Sequence, residues 1–215
     1  GGGRWFNVGA GTSGRLGVLD AAEIPPTFGM PHQVVQGVIA GGDRALRRAI
    51  EGAEDDFHAG KLELQERGLT LGDVVVAISA SGHTPFAQGA SEAAIEAGAR
   101  SIAITNVPGS PLAEMAEIAI VPVTGAEVVA GSTRMKAGLA QKMVLAMLST
   151  AVMVQLGRVE GNLMTHIAPV SQTLLSRSLR FLMTLAELDE ERARALLAAH
   201  EGNLDAALRA ARARR

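Results

Sequence analysis

Five short apolar runs, Trp5–Val8, Val34–Ala40, Val74–Ser79, Ser101–Asn106 and Ile118–Pro122, alternate with segments of helical periodicity. The helical patterns are Gly14–Ala22, Asp43–Asp55 followed by Ala59–Arg67, Pro85–Ala97, and a short turn at Ser110–Ala116. Strands that alternate with helices predict an α/β fold, a doubly wound parallel sheet with helices on both faces. The crossovers are expected to be right-handed, with ligands bound outside the carboxyl ends of the strands. From Arg134 to Leu156 the chain reads as one long, mostly apolar helix, expected to be buried in the core or against a second subunit. After Gly161-Asn162 come three further helical patterns, Ser171–Ala186, Glu190–His200 and Asn203–Arg214, so a boundary is expected near residues 165–170. The expected organisation is thus an α/β domain over residues 1–165 and a helical subdomain over 166–215.

The stretch Gly9–Thr27, GAGTSGRLGVLDAAEIPPT, follows the first strand directly. Gly9, Gly11 and Gly14, with Thr12 and Ser13 between them, can bring backbone N–H groups and two hydroxyls against a phosphate at a helix start. The helix that follows is expected to end at Glu23, because Pro25 and Pro26 oppose its continuation. A carboxylate there would face the negative end of the helix dipole, a misfit that points to chemistry. The glycines match G-x-G-x-x-G, but a dinucleotide site also needs an acid at the end of the second strand. Asp43 lies too late for that. Ser79-Ala80-Ser81-Gly82-His83-Thr84 forms a second hydroxyl-rich loop ahead of Pro85, a residue suited to a first helical position. One capping hydroxyl would be ordinary. Two such loops after two strands suggest a ligand held at more than one place, such as a sugar phosphate.

Glu51, Glu54, Asp55 and Asp56 close the second helical pattern, where acids also oppose the dipole. A solvated charge run accounts for any one of them. A carboxylate that divides acid and base roles with Glu23 is the sharper reading. Glu127 and Ser132-Thr133-Arg134-Met135-Lys136 open the long helix, where Arg134 and Lys136 can answer a bound anion or Glu127 itself. Met135, Met143, Met147 and Met153 sit on helical spacing and read as core filler.

Composition narrows the partners. A formal charge of −2 argues against nucleic acid or an anionic membrane surface. The chain has no cysteine, which fits a cytoplasmic location and leaves no disulfide or thiolate chemistry. The five histidines show no metal-ligand spacing, so no metal site is expected. The apolar run Met143–Leu156 is shorter than the ~20 residues that cross a bilayer, and no signal peptide is visible. The chain opens Gly-Gly-Gly without an initiating Met, as expected for part of a longer protein.

Together these residues resemble the sugar isomerase (SIS) domain family and, more closely, the N-acetylmuramic acid 6-phosphate etherases. The matching segments are Gly9–Thr27, Ile39–Gly42 with Ile50–Asp55, Ser79–Pro85, Pro108–Ser110, Glu127–Lys142 and Gly161-Asn162-Leu163-Met164. The resemblance implies a three-layer α/β fold with a five-stranded parallel sheet. It also implies cleavage of the lactyl ether of N-acetylmuramate 6-phosphate, giving N-acetylglucosamine 6-phosphate and D-lactate without a metal or redox cofactor. By matching position, Glu23 is the family's proton donor and Glu54 its second catalytic carboxylate. Gly11, Thr12, Ser13, Ser79, Ser81, Gly82, Thr84, Glu127, Ser132 and Lys136 are the expected substrate-binding residues, and a homodimer is the expected assembly. His83 stands where the family pattern leads one to expect Arg, and the helical segment expected ahead of the first strand is absent from the sequence. Two other functions fit parts of the pattern. One is a non-catalytic sugar-phosphate sensor similar to the glucokinase regulatory protein, for which a proton-transfer pair has no use. The other is an aldose–ketose sugar-phosphate isomerase.

Overall fold

A computed structural model describes residues 2–167 and 172–213, in two compact units. The first comprises Gly1–Ala22 and His32–Leu148, the second Glu23–Pro31 and Ser149–Arg215. The sequence-expected boundary at 165/166 falls inside the second.

The first unit holds the parallel sheet: β1 (Trp5–Gly9), β2 (Val35–Ile39), β3 (Val74–Ile78), β4 (Arg100–Ile104) and β5 (Ile118–Ile120). Their order is β2-β1-β3-β4-β5, with Trp5 in register with both Val35 and Val74. Successive side chains in a strand point to opposite faces, and the packing follows that alternation. Phe6 and Val8, with Val38 and Val75, pack on Leu64 of α2 (Phe57–Glu66) and on Phe86 and Ala90 of α3 (Pro85–Glu96). Asn7 points the other way and is fully buried. Its amide donates to the Gly17 carbonyl of α1 (Gly11–Phe28) at 3.1 Å and accepts from Trp5 Nε1 at 2.7 Å. Helices therefore flank both faces of the sheet, as the alternation of elements predicts.

A clamp ties the amino ends of the strands. The Asp73 side chain, 2% exposed, accepts hydrogen bonds from the Arg4 guanidinium at 2.7 Å, the Arg4 N–H at 2.7 Å and the Thr70 N–H at 2.9 Å. Burial pushes this carboxyl up, but the Arg4 and Thr70 donors outweigh it and hold the group at about 2.

Several elements depart from the sequence reading. Helix α1 does not stop at Glu23 but runs through Pro25 and Pro26 to Phe28. Proline has a helix-compatible φ, although each ring removes one donor and crowds the carbonyl four residues back. The Gly29 N–H bonds the Pro25 carbonyl at 2.9 Å, so the last turn still closes. Glu23 is thus interior to a helix, and the dipole misfit inferred for it disappears. The first strand also passes to helix sooner than expected, so Thr12, Ser13 and Gly14 form the first turn of α1 rather than a loop. The segment read as a helix over Asp43–Asp55 is instead two 3₁₀ turns, Asp43–Leu46 and Ala53–Asp55. Gly52, at φ 75°, breaks the path between them. The acids there consequently do not share one helix face.

α4 (Pro111–Met115) precedes β5, and α5 (Lys136–Gln155) is the long helix. It begins upstream of the apolar run at Met143. By length and composition alone, at 20 residues and a mean hydropathy of 1.5, it could cross a membrane. Its apolar side is not buried within the single chain, so of the two expected coverings, the core and a second subunit, the core is not the one it has. Met135 just before it, then Leu139, Met143 and Met147, spaced four apart, are 45 to 69% exposed, and of the methionines read as core filler Met153 alone is buried.

In the second unit β6 (Val159–Glu160) and β7 (Leu163–Met164) form an antiparallel pair. α6 (Gln172–Ala186), α7 (Glu190–Ala199) and α8 (Leu204–Ala213) pack around Leu182, Leu197, Leu204 and Leu208. Asp189 and Asn203 cap the last two helices through the N–H groups of Arg192 at 2.8 Å and Ala206 at 3.0 Å. Ser171 and Arg214, the expected limits of two helical patterns, lie outside the described residues.

Candidate active site at the carboxyl ends of the strands

β1 has β2 on one side and β3 on the other, so the sheet's strand order reverses there and leaves a crevice at the carboxyl ends. Three features converge on that edge. The first is the start of α1. Gly11 and Ala10 line a cavity of about 140 Å³ together with Arg15, Ile50, Glu51 and Glu54. Thr12 is half-buried at the helix start, and Gly138 of α5 lies beside its methyl group, where a Cβ would sit 3.3 Å away. Ser13 is buried, and its hydroxyl donates to Gln141 Oε1 of α5 at 2.9 Å. Gln141, itself 1% exposed, passes the chain of bonds to Asn106 Oδ1 at 3.2 Å, beyond β4. Asn106 in turn donates to the Pro122 carbonyl at 2.9 Å, beyond β5. One relay thus fixes the first turn of α1 against the ends of two other strands.

The second feature is the loop after β3. Ser79 Oγ lies 2.8 Å from Thr84 Oγ1 and 3.4 Å from Ser81 Oγ, and it accepts the Gly82 N–H at 3.0 Å. Thr84 makes no side-chain cap to α3, so ordinary capping does not account for these hydroxyls. Gly82, at φ 71°, turns the chain over Ser110, whose Oγ would lie 2.1 Å from an added Cβ. Only glycine fits that turn. His83 is exposed; its N–H donates to Ser81 Oγ at 3.1 Å and its Nδ1 lies 2.9 Å from the Ser81 carbonyl.

The third feature is the start of α5. Glu127 accepts the N–H groups of Lys136 and Ala137, both at 3.0 Å, and so caps the helix with a full carboxylate. These bonds hold its carboxyl below the usual range. The Lys136 ammonium donates instead to the Ala126 carbonyl at 2.8 Å, and Ser132 closes a turn through its N–H to Val129 at 3.1 Å. Of the two partners the sequence offered Lys136, a bound anion or Glu127, Glu127 is met by the backbone N–H.

Glu54 sits exposed in the second 3₁₀ turn and lines the cavity at the start of α1. Glu23 is exposed on α1 and belongs to the second unit. Arg15, Asn106 and Gln141 are the residues that motif reading passed over.

Comparison with known proteins assigns the family. An N-acetylmuramic acid 6-phosphate etherase from Bacteroides thetaiotaomicron is 51% identical over 211 residues, 98% of this chain and 76% of that one. The chain belongs to the N-acetylmuramic acid 6-phosphate etherase family. Etherases from Jannaschia sp. and Pectobacterium atrosepticum are 50% and 52% identical, over 96% and 89% of this chain and 66% and 64% of theirs. The model of the glucokinase regulatory protein N-terminal SIS domain matches residues 3–95 and that of the SIS domain residues 63–151. Among solved structures, a chain from E. coli CFT073 superimposes with a TM-score of 0.55 at 16% identity, over 75% of this chain and 74% of that one. The C-terminal domain of glucosamine-fructose-6-phosphate aminotransferase from Francisella tularensis gives 0.51 at 21% identity, over 90% and 48%. These two likenesses concern the fold of the etherase-family chain, a five-stranded parallel sheet between helices.

Proposed function

We propose that this chain cleaves the D-lactyl ether of N-acetylmuramic acid 6-phosphate to N-acetylglucosamine 6-phosphate and D-lactate, with Glu23 and Glu54 carrying the proton transfers. Family membership supports the reaction, and the placing of Glu54 on a cavity beside the helix start supports its role. The sugar ring opens to an aldehyde, which acidifies the proton on carbon 2. One carboxylate removes that proton. The bond from carbon 3 to the lactyl oxygen then breaks, and the other carboxyl group protonates the departing alkoxide. Water adds to carbon 3 of the unsaturated aldehyde, so substrate plus water becomes amino sugar phosphate plus lactate. Glu23 is the proton donor in this scheme and Glu54 the second carboxylate.

The phosphorylated amino sugar is held by Ser79, Ser81, Gly82 and Thr84, by Gly11, Thr12 and Ser13, and by Glu127, Ser132 and Lys136. The clustered hydroxyls of the loop after β3 support the first set. Ser13 acts through the Gln141 relay, which fixes the helix start. The enzyme works as a cytoplasmic homodimer, and the exposed apolar stripe on α5 supports a second copy there. The decisive measurement follows carbon 2 hydrogen exchange in deuterium oxide alongside coupled detection of D-lactate. Glu54→Gln is expected to abolish both while sugar-phosphate binding persists. Full exchange in that variant would remove Glu54 from the role of base. Turnover of a sugar phosphate lacking the lactyl group to its ketose would replace the etherase reading with an isomerase one.

A further inference from the structure

The substrate in this reading carries two anionic groups, a phosphate on carbon 6 and a carboxylate on the lactyl arm at carbon 3. The hydroxyl-rich loop suits the phosphate. The carboxylate must lie close to carbon 2, and hence close to the groups that move protons. The cavity that Glu54 lines also contains Glu51, so a third carboxylate entering it meets repulsion from both. The cation lining the same cavity is Arg15. It sits one turn into α1, and its Nε donates to the Leu46 carbonyl at 3.3 Å, at the end of the first 3₁₀ turn. That bond fixes the reach of the guanidinium. It uses Nε and leaves the two terminal nitrogens, the pair of donors whose spacing matches a carboxylate.

We infer that Arg15 binds the lactyl carboxylate and sets the preference of this site for an ether bearing an acid. The inference rests on the etherase reading and deepens it. Arg15 holds the leaving group in place and offsets the charge of Glu51 and Glu54 while the carbon–oxygen bond breaks.

The test compares N-acetylmuramic acid 6-phosphate with its lactamide analogue, in which the acid is an uncharged amide of nearly equal size. Wild-type protein is expected to prefer the acid in kcat/KM by at least about tenfold, the scale of one charge-assisted contact. Arg15→Met is expected to abolish that preference, chiefly by raising KM for the acid, and Arg15→Lys to restore part of it. Hydrogen exchange at carbon 2 of N-acetylglucosamine 6-phosphate, which has no lactyl arm, is expected to fall far less than lactate release, and this guards against a folding defect. Lactate release by a wild type that treats acid and amide alike overturns the role of Arg15 alone. Equal loss of exchange and lactate release in Arg15→Lys and Arg15→Met overturns it too. No lactate release by the wild type overturns the etherase reading and this inference with it.

Discussion

Asp73 contributes more to this fold than its place in the sequence suggests. Its carboxyl is held at about 2 in the folded chain, against an ordinary value of 3.8. A depressed carboxyl stabilises the fold above its unfolded value, and that contribution is lost as pH falls through the folded one. Denaturant titrations are therefore expected to show stability declining between about pH 4 and pH 2, by about 2 kcal/mol for this group. Asp73→Asn should lower stability by a similar amount at neutral pH and flatten that decline. Residue-level legibility was uneven for a physical reason. The hydroxyls of Ser79–Thr84 stand in one local run, so their cluster could be read directly. Asp73 finds Arg4 across 69 positions, and a lone aspartate ahead of a strand looks like any turn residue. Arg15 was hidden likewise, because its neighbours in the cavity come from the segment read wrongly as helix.

Elements were read well where apolar period and punctuation agreed, and poorly where breakers were given too much weight. All five strands lie where their apolar runs stand, the last two each ending two residues early, at Ile104 and Ile120. Helix α1 overrode two prolines, with buried apolar residues on either side of them, Ile24 before and Phe28 after. The reverse error fell on the segment after β2, where Gly52 takes a left-handed conformation that no periodicity count registers. The relay from α1 to α5 gives a test at this scale. Gln141→Leu keeps the volume but strands the Ser13 hydroxyl and removes the donor to Asn106. It is expected to cost about 2 kcal/mol in urea unfolding. It should also raise KM, because the first turn of α1 loses its anchor.

At the scale of the whole molecule, the apolar face of α5 carries the proposed second copy. Leu139, Met143 and Met147 form a contiguous exposed stripe, 63 to 69% accessible. Met143→Glu is expected to shift the mass measured by light scattering from dimer to monomer, weakening association by about tenfold or more, since a charge would be buried unpaired. A wild type that runs as a monomer at all concentrations would remove the dimer from the proposal. The sheet has a separate consequence. Its strands are parallel, so the Arg4–Asp73 clamp and the glycine- and serine-rich turns occupy opposite rims, about 16 Å apart for strands of this length. The Asp73 clamp and the turns that line the cavity thus share no residues. A change at Arg4 or Asp73 should therefore register in unfolding and leave the opposite rim as it was.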